Sequence, residues 1–88
     1  MNNDQRKTLA KLADQINSAA SALSDLLSEV ESIRDEEQEK MDNMPENLHE
    51  GEAYQNMESA VDQLEEAISS IEEAVSAAEN AASIVESI

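Results

Sequence analysis

The chain has one proline and one glycine, Pro45 and Gly51, and both fall in the short stretch Asn43–Gly51 between two long heptad patterns. Proline breaks an α-helix and glycine weakens one, so their confinement to one place leaves helix free to run on either side. The stretch Ser28–Gln55 also holds the only histidine, His49, and the only tyrosine, Tyr54. A chain of this kind folds back in its middle.

The first pattern is Leu9, Leu12, Ile16, Ala19, Leu23, Leu26, Val30 and Ile33, in alternating steps of three and four. This is a coiled-coil seam, with Leu9, Ile16, Leu23 and Val30 at heptad position a and Leu12, Ala19, Leu26 and Ile33 at d. Ala13, Ala20 and Leu27 follow at e and widen the apolar stripe. At the next seam positions stand Glu37 and Lys40, where the apolar run stops. Asn2 or Asn3 suits the N-cap, with Asp4 favourably placed in the first turn.

The second pattern is Met57, Val61, Leu64, Ile68, Ile71, Val75, Ala78, Ala82 and Val85. Written in sevens it repeats as MESAVDQ, LEEAISS, IEEAVSA, AENAASI and VESI. One column is acidic throughout: Glu58, Glu65, Glu72, Glu79 and Glu86. Another is Ala60, Ala67, Ala74 and Ala81, closing at Ile88. Alanine admits a close neighbour and glutamate stays in water, so this helix has one packing side and one acidic side.

These patterns predict an all-α fold, one domain spanning 1–88, with helix 1 over about 3–43, a link at 44–51 and helix 2 over about 52–87. At about 1.5 Å per residue the helices are about 60 and 55 Å long, and a short link makes them an antiparallel hairpin. Pro45 and Gly51 weigh against the alternative, one uninterrupted helix in a long parallel coil. The basic cluster Arg6, Lys7 and Lys11 is expected to meet Glu79 and Glu86 at the open end.

A two-helix hairpin leaves apolar columns uncovered, and pairing two hairpins into a four-helix bundle covers them. The expected state is a homodimer. Its interface is assigned to Leu9, Ala13, Ile16, Ala20, Leu23 and Leu27 of helix 1, with Val61, Leu64, Ala67, Ile68, Ile71, Ala74 and Val75 of helix 2.

Composition narrows function. Among 88 residues there are 21 acids against 5 Lys and Arg, a formal charge of −16. Such a chain lacks the basic face that nucleic acid requires, and an anionic membrane would repel it. No Phe or Trp is present, which removes base-stacking platforms. Without cysteine there are no disulfides or thiolate metal sites, as fits a reducing cytoplasm. No apolar run reaches the roughly 18 residues of a membrane span, and MNNDQRKTLAK lacks an apolar signal core.

Catalysis is not expected. General acid–base work needs a carboxyl with a shifted pKa, and pairs such as Glu65–Glu66 and Glu72–Glu73 lie on solvated faces. The single histidine sits in the link, so no nucleophile–histidine–acid set can be built around the helices. Asp35, Glu39 and Asp42 share neighbouring turns and are the nearest approach to a Mg²⁺ or Ca²⁺ site, but the spacing of an EF-hand is absent. No cofactor is expected. His49 reads as an exposed link residue, and Met41, Met44, Leu48, Tyr54 and Met57 as an apolar cap on the turn.

The segment IRDEEQEKMDNMPENLHEGE, Ile33–Glu52, followed by acidic Ala/Glu heptads, resembles a group of small, functionally uncharacterised helical proteins of bacteriophages and integrated mobile elements. The likeness is strongest over those residues and compositional elsewhere. It implies an accessory protein in a bacterial cytoplasm and transfers no catalytic residue.

The expected function is therefore non-enzymatic binding of a host protein with a basic surface. The contact is assigned to Asp35, Glu36, Glu37, Glu39, Asp42, Asn43, Glu46 and Tyr54. DNA mimicry is its sharpest form, and needs two hairpins side by side to approach the charge density of a duplex. The alternatives are a self-assembling module, with Ile84, Val85 and Ile88 extending the association, and a sponge for a signalling nucleotide near Arg6, Lys7, Lys11 or Arg34 with Tyr54.

Overall fold

The first helix starts where an asparagine side chain replaces the missing turn. Asn2 Oδ1 accepts from the Gln5 N–H at 2.7 Å, and Gln5 Oε1 accepts from the Asn2 N–H at 3.2 Å. This reciprocal capping box satisfies two donors that a bare helix end would leave open. The computed structural model describes residues 1–88. Helix α1 runs Asn3–Asp42, with Asp4 in its first turn and Lys40 in its last, each of the sign the helix dipole favours.

The link reverses the chain in few residues. The Asn43 N–H donates to Glu39 O at 3.0 Å and the Met44 N–H to Met41 O at 3.1 Å, closing α1. Pro45, at φ −55° and ψ 140°, leaves helical geometry, and Glu46–Leu48 make one 3-10 turn. Gly51 follows at φ −77° and ψ 163°, where any residue could sit. Its use is space: an added Cβ would stand 3.2 Å from Leu48 O. Helix α2 then runs Glu52–Glu86.

The result is an all-α antiparallel hairpin of two long helices, 69 × 15 × 13 Å. A thin shape buries little. Only Ala13, Ala20, Met41, Val61, Ile68 and Ala82 are buried, and all are apolar. The half-buried residues complete two stripes. On α2 these are Met57, Leu64, Ile71, Val75, Ala78 and Val85 of the ladder read from the sequence, with Tyr54 before them and Ala60 beside them.

On α1 the seam differs from the sequence expectation. It runs Leu9, Ala13, Ile16, Ala20, Leu23, Leu27, Val30, Arg34, Glu37 and Met41, positions a and e instead of a and d. Leu12, Leu26 and Ile33 stand 44, 53 and 55% exposed, and Ala19 is exposed too. Ala13, Ala20 and Leu27, read as columns left over for a second hairpin, instead pack within one chain.

The cause is a stripe three columns wide facing a partner that covers two. The a/e choice brings Met41 into the core at the link end, where the a/d choice would bring Lys40. It also keeps Leu27 away from the side that carries the glutamates of α2. Burying apolar groups away from carboxylates decides the rotation.

The seam sets which side chains hold the hairpin. Replacing Ile68 by Ala should cost about 2–4 kcal/mol in urea unfolding followed by circular dichroism, whereas Glu66→Ala, exposed on the side of α2 opposite the seam, should stay within about 0.5 kcal/mol. Equal costs for both would place the core elsewhere.

Candidate functional site

Helix geometry turns the seam into two unlike broad faces. In both helices a and e point at the partner, so d lies on one flank and b on the other. Because the helices are antiparallel, the two d columns share one face of the hairpin and the two b columns share the opposite face. The b face carries Glu58, Glu65, Glu72, Glu79 and Glu86 of α2 beside Ala10, Asn17, Ser24 and Glu31 of α1. Successive glutamates of that column stand about 10.5 Å apart along the axis.

Few cations answer this charge. No Lys or Arg follows Lys40, so α2 has none. The two ion pairs present are Arg34 Nε–Asp35 at 2.8 Å and Lys40 Nζ–Glu37 at 3.7 Å, both within α1. The expected pairs between Arg6, Lys7 or Lys11 and Glu79 or Glu86 are not formed. Lys7 and Lys11 lie on the outward side of α1, away from α2. The Arg34 guanidinium is held charged, its pKa raised above the ordinary value first by the hydrogen bond to Asp35 and then by the fields of Asp35, Glu31 and Glu65.

Around the link the assigned contact residues do not converge. Asp35, Glu39 and Asp42 point outward together, with Asp42 accepting from Gln38 Nε2 at 3.0 Å. Glu36, Glu39, Lys40 and Asn43 line a shallow depression open to solvent. Glu37 is turned toward the seam and Glu46 opens the 3-10 turn. Tyr54 belongs to the inside: its ring stacks on His49 with centroids 4.3 Å apart and planes 21° from parallel. His49 Nε2 lies 2.9 Å from Met44 O, so the histidine is a fastening of the link rather than an exposed bystander. No three His, Cys, Asp or Glu side chains gather closely enough to hold a metal ion, Asp35, Glu39 and Asp42 included.

The residues assigned to a dimer interface fall into two groups. Leu9, Ala13, Ile16, Ala20, Leu23 and Leu27, with Val61, Leu64, Ile68, Ile71 and Val75, form the seam inside one hairpin. Ala67 and Ala74 alone of that set lie exposed, on the d face. The sequence reading noted the glutamate column but placed the contact surface at the link, where the acids are densest in sequence. The seven-residue spacing of that column aligns its carboxylates along one face of α2.

The stack of His49 on Tyr54 should keep the link closed. His49→Ala removes an interaction of about 0.5–1.5 kcal/mol, so a glutamate-specific protease should cut after Glu46 and Glu50 about 2- to 12-fold faster. An unchanged rate would show that the stack does not hold the link. No helix is long and apolar enough to cross a membrane. No family profile, no curated protein and no solved structure matches the chain.

Proposed function

We propose that this is a non-enzymatic binding protein that acts as a homodimer and engages a basic surface of a host protein through its carboxylate face. The observation that carries the reading is the uncompensated column Glu58, Glu65, Glu72, Glu79 and Glu86 on a helix without a single cation. Such a surface draws a positively charged partner in and orients it, chiefly by speeding encounter. The resemblance of Ile33–Glu52 to proteins of bacteriophages and mobile elements supports an accessory role in a bacterial host cell.

Charge density limits what the surface can imitate. One hairpin spreads −16 over 69 Å, about one charge per 4 Å, against about one per 1.7 Å for duplex DNA. Two hairpins side by side reach about one per 2 Å. Competition with DNA for a basic groove is therefore a property of the pair, not of the single chain.

Immobilised protein should capture a host protein from bacterial lysate at about 50 mM salt and release it near about 300 mM, as counterion-dominated contacts do. A Glu65→Gln/Glu72→Gln/Glu79→Gln variant should lose at least about 10-fold of that capture, one unit of log affinity being 1.4 kcal/mol. Capture that ignores both salt and these substitutions would contradict the reading.

A further inference from the structure

The d face has the opposite character to the glutamate face. Every large apolar side chain left exposed within the helices lies on it: Leu12, Leu26 and Ile33 from α1, and Ile84 at its outer edge from α2. Ile88, 54% exposed, continues it past the last helical turn. The exposed Met1 and Leu48 belong to the chain start and the link. In a chain with 21 acids, the two columns of α2 that build this face hold no ionisable residue from Ala60 to Ile88. On α1 Glu29 and Glu36 border it at the outer edge, and the exposed Lys40 ends its d column beside the link.

The geometry points to a second copy of this chain as the occupant. The inference deepens the homodimer reading above and depends on it. The face is its own complement: α1 offers large side chains and α2 a column of alanines, both repeating every seven residues. A two-fold axis parallel to the helices lays α1 of each copy over α2 of the other, antiparallel, so that Leu12, Leu26 and Ile33 seat against the alanine column. Glu29 and Glu36 then meet an uncharged column that includes Gln63 and Ser70.

Size agrees. From Ala60 to Ile88 the face is about 42 Å long, and at the hairpin's 15 Å width it offers about 600 Å² per copy, about 1,200 Å² in all, where stable interfaces begin. The arrangement is a four-helix bundle with both links at one end and both glutamate faces outward.

Two charged chains of −16 repel, so association should tighten as salt rises, opposite to the capture of a basic partner. Light scattering at 0.1 mM protein should give twice 9.6 kDa, and raising salt from about 50 to 500 mM should lower the dimer dissociation constant. Leu26→Glu and Ala67→Glu should each weaken the dimer at least about 100-fold while the helical circular dichroism of the hairpin persists. Ser24→Glu, the same charge on the opposite face, should leave the mass unchanged. A nitroxide at Asn47→Cys in each copy should give an inter-label distance under about 40 Å, against about 60 Å or more with links at opposite ends.

A wild-type monomer at 0.1 mM overturns both the face and the homodimer reading. A dimer that survives Leu26→Glu and Ala67→Glu overturns this face alone, as does an assembly larger than two. A long inter-label distance overturns the seating of large residues on alanines. Loss of partner capture with an intact dimer strikes only the function proposed above.

Discussion

The fold depends on one contact, the closure of the a/e stripe of α1 on the a/e stripe of α2. An 88-residue chain without disulfides, Phe or Trp has little else to hold it. Alanines at Ala13, Ala20 and Ala82 are fully or nearly fully buried, so the contact is close where they stand. Larger residues such as Leu23, Leu27, Ile68 and Ile71 supply most of the apolar area between. The two halves of the chain are locked in rotation by this seam, and everything on the outer surface follows from that rotation.

The layout of charge on the outer faces follows from the seam. Once the seam is fixed, glutamates repeating every seven residues line up on one broad face and alanines on the other. The ion pairs in the structure stay within α1, each with one partner open to water (Asp35 and Lys40), so they add little to stability. The acids instead set what the molecule repels and attracts. A column of carboxylates runs along one side and a largely apolar strip along the other.

Much of this was legible in the sequence, and its failures have physical reasons. The helices, the reversal between Asp42 and Glu52 and the α2 seam follow from periodicity and from the placement of Pro45, while composition left the N-cap open between Asn2 and Asn3 and the structure uses Asn2. α2 was unambiguous because glutamate borders its stripe on one side and alanine on the other. α1 has three apolar columns in a row, and periodicity alone does not choose which two turn inward. Strict a/d spacing places Leu12, Leu26 and Ile33 in the core, whereas the structure buries Ala13 and Ala20 and half-buries Leu27. The cue lay farther along, where the a/e register ends on Met41 and the a/d register on Lys40. The stacking of His49 on Tyr54, five residues apart across the link, has no periodic signature.

The rotation of α1 can be read directly from two neighbouring alanines. In a Leu26→Glu background, which keeps the comparison within single hairpins, thiol labelling of Ala19→Cys and Ala20→Cys variants reports the exposure of each position. Ala20 is 3% exposed and Ala19 lies open, so the cysteine at position 20 should react at least about 100-fold more slowly. Faster labelling at position 20 than at position 19 would return α1 to the a/d seam and remove both faces described for this protein.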